Sequence, residues 1–412
     1  MSLVAKDVPP GPNDKNTLGL LRLIAGHVCL HASMAGMRMA APLWALQQGY
    51  GPLAVGFLLA LFSLTQVFLA LPAGRFADRH GLRRPVALGI AASMVGAGLA
   101  AAAPYFWVLC ISALAMGGAT GAASIALQRH VGRAAHDAAE LRRVFSWLSI
   151  GPAVSNFLGP VMVGLLIDHA GVWVGGTVAD RNGYLAAFTL TALVPALAWL
   201  CVRGTVELAP IQASHGASPS AWPLLREPLM RRLLLVNWLL SSCWDVHTFV
   251  VPVLGHERGF SASVIGTILG AFAVAATSVR LLLPMLAAHL REWAVVTGAM
   301  LATAVLFAVY PFMPSAWAMG VCSVMLGLVL GTVQPMIMST LHQITPHAQH
   351  GQAIALRLMS INLSSVLMPM LFGTVGVVVG VSVVFWTVGA LVGLGSQAAW
   401  HLRPRTPHLP VA

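Results

Sequence analysis

Charged side chains are scarce in this chain. Only 8% of its 412 residues are Asp, Glu, Lys or Arg, whereas 58% are hydrophobic. An ordinary soluble domain has about 25% charged and about 45–50% apolar residues, so a water-soluble globular protein is excluded. The chain is long enough for about a dozen apolar helices of roughly 20 residues, the length that crosses a bilayer. The composition therefore predicts one integral membrane domain with many spans.

The chain also has few features of catalytic or metal-binding proteins. Its five cysteines all fall inside apolar runs, which favours small buried hydrophobes over a disulfide framework or a zinc site. No GxxxxGK[ST] phosphate-binding loop is present, which argues against an ATP-driven pump. We expect neither a cofactor nor a metal ion. A membrane enzyme is disfavoured because Asp245 is the only acid deep inside a span.

Apolar runs of membrane length recur twelve times. They lie at residues 18–41, 53–73, 86–103, 106–128, 144–167, 183–202, 233–253, 263–284, 294–311, 316–340, 352–376 and 382–401. The proline-rich connection between the sixth and seventh runs is the longest polar stretch between spans. The predicted organisation is a disordered segment (1–17), a six-helix half (18–202), a linker (203–232), a second half (233–401) and a tail (402–412).

The formal charge of +11 is distributed unevenly along the chain. With these spans, 19 of the 23 Lys and Arg residues lie on one side of the membrane or at its boundary. By the positive-inside rule that side is the cytoplasm, so both termini are expected to be cytoplasmic. We expect a multi-pass protein of a bacterial-type inner membrane. Nucleic-acid binding is not implied.

The two halves repeat each other in sequence. At an offset of 210 residues, glycines, prolines and a tryptophan coincide, and after a small insertion the offset becomes 214. The coinciding pairs include Pro42 with Pro252, Gly56 with Gly266, Trp107 with Trp317, Gly117 with Gly327 and, at the later offset, Gly159 with Gly373. The register predicts two structurally related halves.

The stretch from Leu71 to Val86, LPAGRFADRHGLRRPV, joins the second and third spans and resembles the GxxxDRxGxRR loop of the major facilitator superfamily of transporters. Its matching or adjacent residues are Gly74, Arg75, Asp78, Arg79, Gly81, Arg83 and Arg84. Leu82 stands where a basic residue is usual. A solvated, positively charged turn is the alternative interpretation.

This resemblance implies an all-α fold of twelve transmembrane helices, in two six-helix halves related by a parallel pseudo-twofold axis. It implies transport by alternating access, with a substrate site near the membrane midplane. It also implies that Asp78 helps to latch the cytoplasmic helix ends in the outward-facing state. The position equivalent to Asp78 in the second half is Ala288, so the latch is expected to be asymmetric.

Helix five resembles the GPxxGG signature of proton-coupled exporters in that superfamily. The matching residues are Gly151, Pro152, Gly159, Pro160 and Gly164. Val163 replaces one of the usual glycines, and ordinary close packing of membrane helices is the alternative.

Arg38 and Asp245 are ionisable groups placed deep in the first and seventh spans, where an unpartnered charge costs at least about 2.5–3.5 kcal/mol. We expect them to form a proton and substrate site with His31 and Trp244. A static structural pair remains an alternative. Four further polar residues are candidates for the cavity lining, with interhelical hydrogen bonds or interfacial placement as alternatives: Gln66, Arg280, Gln334 and Asn362.

The predicted function is proton-coupled efflux of a small organic molecule by a protein that functions as a monomer, with lipid, substrate and protons as its partners. Two alternatives remain open: an uptake permease for organic anions, and a membrane sensor or assembly factor that does not transport.

Overall fold

The computed structural model describes residues 12–134, 138–208, 222–286, 291–345 and 350–403. Within these ranges the chain forms twelve α-helices and no strand. The helices are α1 (Pro12–Gln47), α2 (Pro52–His80), α3 (Arg83–Ala102), α4 (Phe106–Ala134), α5 (Ala138–Trp173), α6 (Arg181–Val202), α7 (Pro228–Glu257), α8 (Ala262–Leu286), α9 (Glu292–Val309), α10 (Ala316–Ile344), α11 (His350–Val379) and α12 (Val381–Trp400). All twelve contain a segment that is long and apolar enough to cross a membrane.

Several helices extend beyond the apolar runs that predicted them. The first helix begins at Pro12, so residues 12–17, which were expected to be disordered, are helical, while residues 1–11 lie outside the described ranges. The apolar part of that helix begins at Gly19, close to the predicted start. Backbone hydrogen bonds continue a helix past the point where charged residues end the apolar signal. Residues 209–221 of the linker and 404–412 of the tail also lie outside the description.

The polar sequence around residue 345 predicts one solvated loop that contains His342, His347 and His350. His342 instead lies in α10 and His350 begins α11, whereas His347 lies outside the described residues.

Consecutive helices run in opposite directions, so α1 begins and α12 ends at the same end of the bundle. We term this the terminal end. The opposite end, termed the far end, carries the connections at residues 48–51, 103–105, 174–180, 258–261 and 313–315 and at Gly380.

The sequence repeat reappears in the way helices pack. Gly117 on α4 lies directly against the carbonyl of Phe62 on α2, with no room for a side chain. Gly327 on α10 lies in the same way against the carbonyl of Phe272 on α8. Gly117 and Gly327 are 210 residues apart, and so are Phe62 and Phe272, so these two contacts follow the register that the sequence predicts.

Close backbone contacts also join the two halves. Gly56 on α2 packs against the carbonyl of Pro369 on α11, and Gly266 on α8 packs against the carbonyl of Pro160 on α5. The repeat relates these contacts, since α2 corresponds to α8 and α5 to α11. Gly373 on α11 also lies close to Pro52, the first residue of α2. These contacts all lie in the far-end portions of their helices, so the halves meet closely there.

Replacing Gly117 with Ala is expected to destabilise the protein, because the added methyl group would overlap the backbone of Phe62. Such overpacking typically costs about 1–3 kcal/mol. Gly98→Ala on α3 is the matched control, since no atom lies within 4 Å of the added carbon. Thermal unfolding of both purified variants in detergent checks this. Equal unfolding temperatures for the two would contradict the described α2–α4 packing.

Candidate substrate and coupling site

A small cavity lies between the two halves. Its walls come from α1, α2 and α5 of the first half and from α7 and α8 of the second, and its volume is about 60 Å³. This is room for about two water molecules, well below the roughly 300–1,000 Å³ of a typical ligand pocket. In this conformation the cavity can hold only a small chemical group.

The cavity combines an aromatic wall with a few polar groups. Trp244 and Phe272 meet edge to face, with ring centroids 4.5 Å apart. Arg38 and Asn156 supply hydrogen-bond donors from the opposite half. An aromatic surface beside a guanidinium group suits a molecule with a flat apolar body and at least one hydrogen-bond acceptor.

Asp245 follows the cavity-lining Trp244 on α7 and is almost completely buried, with 5% of its surface exposed. Its carboxylate accepts hydrogen bonds from two hydroxyl groups of α11: Ser364 donates to Oδ2 at 2.9 Å and Ser365 donates to Oδ1 at 3.2 Å. The hydroxyls of Ser364 and Ser242 are 3.3 Å apart. Asp245 on α7 is therefore tied to α11 by a small polar network.

Arg38 lines the cavity from α1, and its charge and that of Asp245 are close enough to interact. Both residues belong to the described part of the chain, yet they form no direct ion pair, since no nitrogen and oxygen approach within 4.0 Å. The nearer partners of Asp245 are the serines. These serines could not be identified from the sequence, because consecutive Ser residues in an apolar helix give no distinctive pattern.

Two other predicted residues lie on the first-half side of the site. His31 is half-buried on α1, with its ring 5.7 Å from that of His27, and its Nδ1 atom has no hydrogen-bond partner. Gln66 on α2 donates to the carbonyl of Phe62 at 3.3 Å and contacts the sulfur of Met34 at 3.7 Å. Gln66 thus makes the interhelical contact considered as its alternative role.

The remaining candidates lie in the second half. The guanidinium of Arg280 lies 5.7 Å from the centroid of the Trp244 ring, and its Nε donates to the carbonyl of Gly331 at 3.3 Å. Arg280 therefore braces an aromatic residue of the cavity from α8. Gln334 on α10 and Asn362 on α11 are half-buried.

The glycine and proline residues of α5 serve close packing on two sides. Pro152 and Pro160 lie inside the helix. A carbon added at Gly151 would lie 3.0 Å from the His27 ring, and one added at Gly159 would lie 2.5 Å from the carbonyl oxygen of Ala32, so both glycines face α1. Gly164 faces the other half, where an added carbon would lie 2.5 Å from the carbonyl oxygen of Ala262.

The GxxxDRxGxRR stretch forms two helix ends and a short turn rather than an extended loop, because α2 continues to His80 and α3 begins at Arg83. Asp78 forms an ion pair with Arg129 of α4, and Gly74 lies against the same guanidinium. Arg75, Arg79 and Arg84 are exposed.

Glu207, which follows α6, caps the start of α3. Its carboxylate accepts hydrogen bonds from the backbone N–H groups of Leu82, at 2.8 Å, and Arg83, at 2.6 Å. The Arg83 side chain donates to the carbonyl of Thr205. Gly81 has φ +72°, and a side chain there would overlap the Glu207 carboxylate. Both the backbone conformation and this contact explain the glycine.

The departure from the family pattern at Leu82 also has a structural reason. Its side chain is only 1% exposed and packs in an apolar cluster that includes Val86, Leu127 and Val131. A basic side chain could not replace it without burying a charge.

Ser364→Ala is expected to lower the unfolding temperature, because a buried carboxylate would lose one of its donors; such bonds to charged groups contribute about 1.5–3 kcal/mol. Ser278→Ala is the control, since this exposed hydroxyl of α8 bonds only to its own helix at Val274. Thermal unfolding in detergent measures both variants. An unfolding temperature for Ser364→Ala as high as that of the control would contradict the network.

Comparison with known proteins gives a consistent family. The family model described as "Major Facilitator Superfamily" matches residues 23–322 and 233–412. The chain is 29% identical over 230 residues to the class C tetracycline resistance protein of Escherichia coli. That alignment covers 53% of this chain and 54% of the relative, so the chain spans about half the length of the relative that it matches.

Solved transporters share the fold at low sequence identity. A bacterial homologue of the human lysosomal transporter Spinster, in an inward-facing and occupied conformation, has a TM-score of 0.77 at 12% identity, covering 95% of this chain and 97% of that one. A nucleoside transporter has a TM-score of 0.75 at 13% identity, covering 94% and 100%. A POT family transporter in complex with a thioalcohol-conjugated peptide has a TM-score of 0.75 at 14% identity, covering 92% of this chain and 94% of that one.

These findings confirm the predicted resemblance and the predicted fold of twelve helices in two related halves. The chain belongs to the major facilitator superfamily of membrane transporters.

Proposed function

We propose that this transporter exports a small organic molecule in exchange for protons, by alternating access of the cavity between its halves. The observation that carries the proposal is the position of Asp245. Its buried carboxylate lies on α7 directly after the cavity-lining Trp244, is held by hydroxyl groups of α11, and interacts with the charge of Arg38. The partial match to a tetracycline resistance protein supports export of a drug-like molecule.

Asp245 is suited to exchange a proton because its partners can change during transport. In general, nearby cations and hydrogen-bond donors favour the ionised form of a carboxyl group, whereas apolar surroundings favour the neutral form. Arg38 belongs to the first half and Asp245 to the second, so rocking of the halves would change their separation. Proton uptake and release would thereby be tied to the direction in which the cavity opens.

One proton per cycle supplies enough free energy for useful export. A membrane potential of 100 mV and one pH unit contribute about 2.3 and 1.4 kcal/mol per proton. Together they support a concentration gradient on the order of several hundred-fold at one proton per substrate. A single titrating carboxylate is therefore sufficient.

The contacts between the halves indicate which conformation of the alternating-access cycle this structure represents. The described glycine contacts between halves lie at the far end, so we infer that the far end is closed here. With both termini in the cytoplasm of a bacterial-type cell, as the basic residues favour, this conformation faces inward. In this state Asp78 pairs with Arg129 and Glu207 caps α3, and we infer that these groups exchange partners when the terminal end closes.

A second candidate is uptake of organic anions. Arg38 lines the cavity and Arg280 lies over the ring of Trp244, so two cations border the aromatic wall. These positions suit a substrate with a carboxylate or a similar group.

Asp245→Asn is expected to keep exchange of substrate across the membrane but to lose accumulation driven by a pH gradient, because the amide cannot release a proton. In vesicles with one pH unit imposed and no potential, the wild type is expected to accumulate tetracycline about tenfold at one proton per substrate. The variant is expected to reach only equal concentrations. Asp180→Asn, at the start of α6 and away from the cavity lining, is the control. Full accumulation by Asp245→Asn would remove this residue from the coupling mechanism.

Arg38→Gln separates the two candidates. If the cargo is an organic anion, this change is expected to raise the KM for an aromatic carboxylate probe such as benzoate by about tenfold or more, since a charge-assisted hydrogen bond is lost. Arg291→Gln, at the exposed start of α9, is the control. Initial rates in proteoliposomes measure the effect. Saturable wild-type benzoate transport that does not respond to Arg38→Gln would exclude the second candidate in this form.

A further inference from the structure

A second buried carboxylate joins the halves at the far end, away from the cavity and from Asp78. Asp168 lies on α5 and is only 3% exposed. Its Oδ1 accepts a hydrogen bond from the backbone N–H of Ala262 at 3.0 Å, and its Oδ2 accepts one from the N–H of Ser263 at 2.7 Å. The hydroxyl of Ser263 also donates to Oδ2. Ala262 is the first residue of α8, so a side chain of the first half caps a helix of the second.

This arrangement differs from other helix starts at the same end. Helix α6 is capped by its own preceding residue, Asp180, and α10 by its own preceding residue, Ser315. The unpaired N–H groups of a helix start require such a partner, and a carboxylate there is also favoured by the helix dipole. Helix α8 also has a long bond within its own half, since the hydroxyl of Ser261 accepts from the N–H of Val264 at 3.4 Å. The N–H groups of Ala262 and Ser263 are satisfied by Asp168 of the opposite half, and that part of the cap exists only while the two halves are in contact.

Close packing of α5 against α8 brings the Asp168 carboxylate to the start of α8. Gly164, one turn earlier on α5, lies against the backbone of Ala262 and Ser263. Gly266, one turn into α8, lies against the carbonyl of Pro160. Absence of side chains at both glycines lets the two helices approach closely enough for Asp168 to reach the helix start.

The contacts between α5 and α8 form a strip that separates the cavity from the far end. It runs from Asp168 down α5 to Phe157, which packs against Gly270 of α8. Asn156 and Pro160 of α5 and Phe272 of α8 line the cavity itself. The cavity therefore cannot open toward the far end between these helices unless the strip parts, and Asp168 forms its outermost polar contact.

We propose that Asp168 is the positioning residue that holds the transport pathway closed at the far end, by capping α8 across the interface between the halves. Opening at that end breaks all three of its hydrogen bonds, and water entering the gap then solvates both the carboxylate and the exposed N–H groups. The inference rests on the alternating-access cycle proposed above. In this role Asp168 stabilises the far-end-closed conformation relative to the far-end-open one, and it takes no part in cargo binding or proton exchange.

Asp168→Asn is expected to increase the ratio of far-end-open to far-end-closed protein by roughly 2- to 12-fold, the range that corresponds to the net loss of one hydrogen bond. The amide keeps the size of the carboxylate but loses its charge and presents only one acceptor. Spin labels at Val174 of the first half and Trp317 of the second, both highly exposed at the far end, report the separation of the halves. Distances are measured by pulsed electron paramagnetic resonance on the full chain in nanodiscs, after replacement of its five cysteines.

Asp180→Asn is the matched control, since it removes a carboxylate cap at the same end but within one half. It is expected to leave the distance distribution unchanged even if it lowers the unfolding temperature. Ser263→Ala removes only the hydroxyl donor and is expected to shift the same ratio by a smaller factor, which provides a test if Asp168→Asn does not fold. The proposal is overturned if Asp168→Asn, or Ser263→Ala in its place, leaves the distribution unchanged, or if Asp180→Asn shifts it equally.

The outcome is distinguishable from a failure of the proposed function. The distance measurement needs no cargo and no proton gradient, so it tests Asp168 even if Asp245 has no part in coupling. Conversely, an unchanged distance distribution in Asp168→Asn, together with loss of uphill transport in Asp245→Asn, would exclude the role of Asp168 and leave the proposed proton-coupled export intact.

Discussion

Close approach of backbone to backbone between the halves is the constraint on which this structure depends. In a bilayer, lipid tails are as apolar as the side chains, so helices associate through tight packing and polar contacts rather than through exclusion of water. Gly56 against Pro369 and Gly266 against Pro160 provide that packing twice, between helix pairs that the repeat relates. Because both contacts lie toward one end, the halves meet there and leave a cavity nearer the middle.

The two buried carboxylates, Asp168 and Asp245, have partners of different chemistry. Two of the three donors to Asp168 are backbone N–H groups, which can donate but never accept. The partners of Asp245 are hydroxyl groups, which can donate to a carboxylate or rotate and accept from a protonated carboxyl. The first set suits a carboxylate that holds two helices together. The second can serve as donor or acceptor, as the coupling role proposed for Asp245 would require.

The fold was predictable from the sequence because its determinants are local and repeated. Apolar length defines each span, and the glycines that permit close packing recur at a fixed offset, as Gly117 and Gly327 demonstrate. The contacts of the site were not predictable in the same way. Ser364, Asp168 and Glu207 act through partners more than 90 residues away in the chain, and no periodicity connects a lone polar residue with a distant backbone N–H group.

Helix ends were a further source of error. The apolar runs stopped where charge began, so Asp78 and its neighbours were assigned to a loop although they lie on the last turns of α2. Hydropathy reports the limits of the hydrocarbon and not those of the hydrogen-bonded helix. The unusual leucine at position 82 became understandable only when its burial among apolar neighbours was visible.

The contact between Glu207 and Gly81 bears on how the internal duplication diverged. Glu207 belongs to the segment that leaves the first half to reach the second, and a chain of two copies contains such a segment only once. The first half therefore fastens its α2–α3 corner to the segment that joins the two halves. This contact ties the position of that corner to the connection between the halves, and it accompanies an acid at position 78 where the repeat places an alanine at position 288.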